Sequence, residues 1–446
     1  MRSGLLLNAI VVLWLLSPQH AGAVSPTPVE MAEARQWAAA KFADAGKTGG
    51  AETFFSFTYD GKPSAGFLGT WNLKRAVRPL DAQRTEYTLT YFDPKTGLLI
   101  RCVGVENHDF PTVEWTLYFK NTSGKGTPIL SDIQALDAIF APKNSGDVLL
   151  HHFRGDSCTR DSFEPLRTML APGIDRRFAP VGGRPSNGEW PYYDLEWNGA
   201  GAILAIGWPG QWACRFTRDR GPGVRVRAGQ ELTHFTLHPG EEVRTPLITV
   251  MFYRRDWIGA QNMWRRWMFA QNFPKEHGKP VSAKLAGFCG NYFPGYRTNQ
   301  KGEIKFIDRY IEEGIKLDYW WIDAGWYPCT GDWGPVGTWE VDRERHPGGL
   351  RVISDHAHSK GMQLILWFEP ERVTKGSWLA LNHPEWVLGG KDGGLGHAQQ
   401  GAGLCARPQV GWAMATGGPA SVRRLLPTDK LQHGEQRLDG LPVRLP

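Results

Sequence analysis

The stretch YWWIDAGWYPC, residues 319–329, sets a single acid, Asp323, behind an apolar run and before a glycine, with Trp320, Trp321 and Trp326 close by. Two further acids, Glu369 and Glu371, stand in WFEPERV. A carboxylate can accept two hydrogen bonds from adjacent hydroxyls, and an indole offers an apolar face to the C–H side of a pyranose, so this combination suits a sugar. The same residues admit a structural reading. In it, Trp320 and Trp321 are wall packing, and the acids are paired with Arg343, Arg345 or Arg372. Spacing alone leaves both open. A metal site is the lesser reading for the thirteen scattered histidines, because His356 and His358, two apart in a helical pattern, point away from each other. No cofactor motif is present.

Acids of this kind need rigid strand ends to hold them, and the sequence after Pro280 supplies strand-and-helix grammar. KLAGFCG (284–290) reads as a strand, and GEIKFIDRYIEEG as a helix with Ile304, Ile307 and Ile311 on one face. LDYWWID is the next strand. GLRVISDHAHSKG follows as a helix with Leu350, Ile353 and Ala357 inward, stopped by Gly361, and MQLILWFEPE is a third strand. Near-continuous apolar strands joined by helical crossovers predict a parallel α/β sheet, with about three of the eight units of a barrel. In such folds ligands sit beyond the C-terminal strand ends, where Asp323 and Glu369 are expected.

The first half has a different pattern. From Val24 to Lys275, short alternating runs such as TEYTLTYFD, VEWTLYFKN, GAILAIGWP and LITVMFY are split by Gly, Pro, Asn and Asp, predicting a large antiparallel β-sandwich. VEMAEARQWAAAKF reads as an early helix, and RRDWIGAQNMWRRWMFAQNF (254–273) as a helix linking two domains. Ahead of all this, Arg2, the apolar run Leu5–Leu16 and the small-residue pattern Ala21-Gly22-Ala23 predict a secretory signal. That implies a secreted or periplasmic chain starting at Val24, with no membrane anchor after cleavage. Six dispersed cysteines do not make a disulfide framework. The net charge of +6 is spread over 51 basic and 45 acidic residues without a basic block, which argues against a nucleic-acid partner, while twenty tryptophans suit surfaces that stack on sugar rings but are explained as well by core packing and strand propensity. A homo-oligomer is compatible with this composition. The expected domains are a signal at 1–23, the β-supersandwich at 24–253, a helical linker at 254–279 and a partial (β/α)8 barrel at 280–390. An irregular tail at 391–446 reads as a truncated or frame-shifted end, because a barrel that stops at three strands leaves open edges.

In order and spacing, LDYWWIDAGWYP, then VGTWEVDRERHPGGLRVISDHAHSKGMQLILWFEPERV, then SWLALNHPEWVL resemble the catalytic barrel of glycoside hydrolase family 36, the α-galactosidases or melibiases. VEWTLYFKN, LHPGEEVRTPLITVMFY and KPVSAKLAGF are similar to that family's N-terminal supersandwich and first barrel strand. The resemblance implies a retaining hydrolase in which one aspartate attacks the anomeric carbon and a second serves as acid and then base, with their carboxyls ~5 to 5.5 Å apart. It places the nucleophile in a Lys-x-Asp motif on the fourth strand and the acid/base further on, and neither has a counterpart here. Lys391-Asp392 lacks the spacing and Asp429 lacks the strand. The resemblance also implies sugar contacts: Asp323 matches the first of two adjacent family aspartates, Trp339 a tryptophan against the sugar, and Glu369 a positioning glutamate. Ala324 replaces the second aspartate, which puts strict α-galactose specificity in question. The functions in view are an exported hydrolase of α-galactoside-like sugars lacking its catalytic pair, a secreted carbohydrate-binding protein without chemistry, and a gene product that does not fold.

Overall fold

The computed structural model describes residues 24–44, 53–140, 146–369 and 373–384, with two short strands at 387–388 and 405–406. The expected signal, Glu371, Arg372, Lys391-Asp392 and Asp429 lie outside the described residues. The chain divides into two compact units, Met1–Pro274 and Lys275–Pro446.

The first unit opens with helix α1, Pro28–Ala38, where Pro28 sits in the first turn and Thr27 and Glu30 cap each other reciprocally. A ten-stranded antiparallel sheet follows. Its strands are β1 (Asn72–Asp81), β2 (Arg84–Phe92), β3 (Leu98–Asn107), β4 (Thr112–Asn121), β5 (Leu149–Phe153), β6 (Pro165–Met169), β7 (Tyr192–Trp197), β8 (Ala200–Gly207), β9 (Glu242–Arg244) and β10 (Leu247–Tyr253). They lie in the order β6-β5-β7-β8-β10-β4-β3-β2-β1, with β9 beside β4. A four-stranded sheet of Leu136–Phe140, Asp175–Phe178, Trp212–Thr217 and Val224–Gln230 faces it. Phe178, Phe216 and Trp212 from the small sheet meet Tyr193 of β7 in one shared core, which makes this unit a β-sandwich. Trp115, fully buried at the centre of β4, gives its indole N–H to the Ala135 carbonyl at 2.7 Å, so its donor is satisfied within the core.

Helix α2, Trp257–Trp267, behaves as part of the sandwich. Asp256 caps it, and Ala260, Met263, Trp264 and Trp267 pack on Ile203, Met251 and Tyr253. The helical spacing of the tryptophans, read as a link between domains, turns out to be a contact face for this sheet. The buried carboxylate of Glu30 ties α1 to the same corner. It accepts Arg255 Nε–H at 2.7 Å and the Arg254 amide at 2.8 Å.

The second unit is built on three parallel strands, β11 (Ala286–Gly287), β12 (Tyr319–Ile322) and β13 (Gln363–Leu366), joined by α3 (Gln300–Glu312) and α4 (Gly349–Ser359). This is the opening of a (β/α) barrel. Strand β11 is much shorter than its apolar run suggests, because turns at Gly290–Tyr292 and Pro294–Tyr296 take over the backbone after Gly287. Alternation sorts β12 between its faces. Trp320 and Ile322 are buried with Ile307, Ile353 and Ala357 of the helices, while Trp321 and its neighbour Ile365 are each more than a third exposed on the other face. On α3 the inward stripe is buried Glu303 and Ile307 with half-buried Tyr310, rather than Ile304, Ile307 and Ile311, and Ile311 is 41 % exposed. The helix is turned so that an acid, not a third isoleucine, faces inward. In the tail, Cys405–Ala406 pairs antiparallel with Val387–Leu388, one short ladder where the sequence shows no clear strand.

Candidate functional site

Asp323 follows Ile322 directly, at the C-terminal tip of β12, and is half-buried. Strand β13 ends in step with it, since Ile322 pairs with Leu366 and the Trp367 amide donates to the Ile322 carbonyl at 3.0 Å. Half-buried Glu369, three residues beyond Leu366, is therefore on the same rim. Asp323 Oδ1 accepts the Ala324 amide at 2.7 Å, and among the described residues it has no ion-pair partner. Of the three arginines read as partners for these acids, Arg345 is occupied elsewhere, donating to Asp342 at 2.9 Å, and Arg372 lies outside the described residues. The structural reading of Asp323 as the partner of Arg345 is thus not what the fold builds.

The turn after Asp323 requires glycine. Gly325 has φ +84°, and a Cβ there would lie 2.5 Å from the Tyr296 carbonyl oxygen, so any side chain would add both backbone strain and a clash.

The aromatic residues divide into an enclosed set and a half-open set. Trp326 is only 3 % exposed, its N–H donated to the Trp367 carbonyl at 2.9 Å and its ring against Phe368, Tyr327 and Trp339 at 5.3, 5.5 and 6.1 Å. It does not display the open face expected of it. Trp320 is likewise enclosed. The half-buried rings are Trp339, Trp333, Trp367 and Phe368, with Trp339 in contact with Trp367 at 6.0 Å and Phe368 at 5.3 Å. Trp339 and Glu369 are thus brought to one aromatic rim, with Trp326 as its inner support.

Sequence reasoning missed one acid. Glu303, 1 % exposed in the first turn of α3, accepts Trp320 Nε1–H at 2.7 Å and the Cys289 thiol at 3.4 Å. Burial raises its pKa above the ordinary carboxyl value, the charge of Asp323 adds to that, and the Trp320 and Cys289 donors oppose it. Its signal was Glu at the i−4 position from Ile307, on the inward stripe. Among the described residues no group of three His, Cys, Asp or Glu side chains comes together as a metal cage.

A β-sandwich unit and a unit that opens a parallel (β/α) barrel, with acids and indole rings at its strand tips, place the candidate site where barrel folds hold their ligands. Residues 260–404 match the melibiase family model. The chain is 41 % identical over 194 residues to α-galactosidase 2 of Pediococcus pentosaceus, a match covering 42 % of this chain and 26 % of that protein. It is 25 % identical over 191 residues to an α-galactosidase of Escherichia coli, covering 41 % and 26 % respectively. In three dimensions it resembles the family 36 α-galactosidase AgaA of Geobacillus stearothermophilus, with TM-score 0.61 at 17 % identity over 76 % of this chain and 49 % of that one. The α-galactosidase of Lactobacillus brevis gives 0.63 at 16 % identity over 84 % and 50 %. Residues 260–404 are thus similar to the α-galactosidase-like glycoside hydrolases of family 36. The matched segment spans about a quarter of the length of the curated relatives, and the chain covers about half of each of these two solved structures.

Proposed function

We propose that the chain is an exported member of that family that recognises a terminal α-galactoside-like sugar through Asp323, with Trp339 and Glu369 on the same rim and Trp326 holding the rim from within. The observation that carries this is the position of Asp323, at a strand tip, half-exposed, without a cation among the described residues. A charge is tolerated there because water or a sugar hydroxyl can reach it. Variants of the Geobacillus enzyme form complexes with 1-deoxygalactonojirimycin, raffinose and stachyose, which supports a galactoside as the ligand class. The nucleophile and acid/base implied by the resemblance are not matched within these 446 residues, so what is proposed for them is recognition of the sugar.

Asp323→Asn is therefore expected to weaken galactose binding by about 1.5–3 kcal/mol, read by tryptophan fluorescence, with little change in melting temperature. A large fall in melting temperature with unchanged affinity would show that Asp323 is a structural acid. The unsubstituted chain should leave a nitrophenyl α-galactoside intact, since loss of a nucleophile removes most of a covalent mechanism. Turnover that survives exhaustive purification and disappears in Asp323→Ala would overturn the reading of binding alone. Export rests on the apolar leader, and mass spectrometry of the mature protein is expected to find Val24 first; an intact Met1 in the cytoplasm would contradict it.

A further inference from the structure

We infer that Arg345 is the positioning residue of the Asp323 subsite, the side chain that keeps the 323–327 turn in its sugar-binding shape; this rests on the reading of that subsite given above. The guanidinium is 12 % exposed and spends its donors on three backbone carbonyls of two loops and on one carboxylate. One terminal nitrogen reaches the Thr298 carbonyl at 2.9 Å and the Gly325 carbonyl at 2.6 Å, the other the Tyr327 carbonyl at 2.8 Å, and Nε reaches Asp342 at 2.9 Å. The Asp342 amide in turn donates to the Trp326 carbonyl at 3.1 Å. Three consecutive carbonyls of the turn, 325 to 327, are thus taken up by one Arg–Asp pair. Through Thr298 the same fork joins the loop beyond β11 to the loop beyond β12, and the Arg345 carbonyl accepts the Gln300 amide at 3.0 Å at the start of α3.

Asp323 depends on this arrangement. Its carboxylate is oriented by the Ala324 amide, one residue before a glycine whose left-handed conformation leaves no room for adjustment against Tyr296. If the carbonyl row shifts, that amide shifts with it, and so does the acceptor offered to a sugar. A lysine at 345 would keep the charge beside Asp342 but, as a single compact donor, cannot span carbonyls on two loops. The Lys variant therefore separates a geometric role from a merely electrostatic one.

The test compares the full chain with Arg345→Lys, and with Arg343→Lys at the exposed neighbouring arginine as control. It measures galactose affinity, melting temperature and amide exchange of residues 319–329. Arg345→Lys is expected to weaken galactose binding about 10- to 100-fold, as displacement of a positioned group by about an ångström does, and to lose protection at the Ala324 amide. Exchange elsewhere and the control should match the unsubstituted chain. Should Arg345→Lys not fold, Asp342→Asn, which loosens the fork without removing it, is expected to give the same pattern with a smaller loss. Unchanged affinity and unchanged exchange in 319–329 would overturn the inference. If the unsubstituted chain does not bind galactose, the subsite reading fails on its own. Arg345 is then judged by exchange: retained protection of the turn overturns its role, and selective loss there upholds the positioning of the turn.

Discussion

Arg255→Ala is expected to lower the unfolding free energy of the sandwich unit by about 3–5 kcal/mol at pH 7, the cost of leaving a buried charge without its counterion. The charge is Glu30, fully enclosed at the end of α1. Burial pushes its pKa up, but the Arg255 guanidinium, the Arg254 and Thr27 amides and the Thr27 hydroxyl outweigh that and hold it below the ordinary 4.5. Because the folded-state pKa is depressed, the stability it contributes is present above pH 4.5 and is lost as pH falls through the folded value. Without Arg255 the carboxyl takes up a proton more readily on folding, so the gap between the two proteins should narrow in acid. Urea denaturation at pH 7 and near pH 4 reads both quantities. A loss under 1 kcal/mol at pH 7, or one that does not shrink in acid, would mean that the corner is held by packing instead.

Asp194→Asn should act in the opposite direction and stabilise the protein at neutral pH. Asp194 is enclosed on β7, where it accepts Tyr253 Oη–H at 2.6 Å and Gln261 Nε2–H at 3.1 Å. Burial pushes its pKa from 3.8 to about 6; the two donors and His151 work against this, and Glu196 adds to it. A raised pKa on an acid reverses the previous sign. The folded state holds the proton more tightly, so stability is greatest below about pH 4 and declines as pH climbs through about 6, by up to about 3 kcal/mol for a shift of this size. Asparagine cannot ionise, can still accept from Tyr253, and requires only that the Gln261 amide turn over to face its NH₂ group. The variant should therefore match the parent near pH 4 and exceed it by up to about 3 kcal/mol at pH 7.5. Lower stability at pH 7.5 would show that the Asp194 carboxylate contributes more through its hydrogen bonds than its desolvation costs.

The two corners also show what a sequence can and cannot disclose. Alternation in VEWTLYFKN and LITVMFY, and the crossover grammar of residues 284–369, were legible because burial of one face imposes a period on the residues themselves. Asp323 at a strand tip followed from the same grammar. Glu303 and Glu30 did not, because a buried acid on a helix looks like any solvated one until its partners, Trp320 or the distant Arg255, are known. Arg345 was harder still. It was foreseen as an ion-pair partner for Asp323, yet three of its four oxygen acceptors are backbone carbonyls, which every residue carries and no sequence pattern marks. Trp326 misled for a related reason: the motif shows where an indole stands along the chain, whereas its enclosure depends on Phe368 and Trp339 arriving from other loops.

The bond between Glu30 and Arg255 spans 225 positions of chain. Translation at about 5–20 residues per second leaves the first helix waiting more than ten seconds for the arginine that neutralises its acid. Phe42, just beyond that helix, must wait as well for the glycine at 104 whose missing side chain makes room for its ring. A nascent chain of 100 residues thus lacks both partners, and one of 200 has the glycine but still leaves the acid without its arginine. The corner between the first helix and Arg255 can close only late, so a ribosome stalled before codon 255 should release a protein whose residues 28–38 are more open to proteolysis than in the full chain.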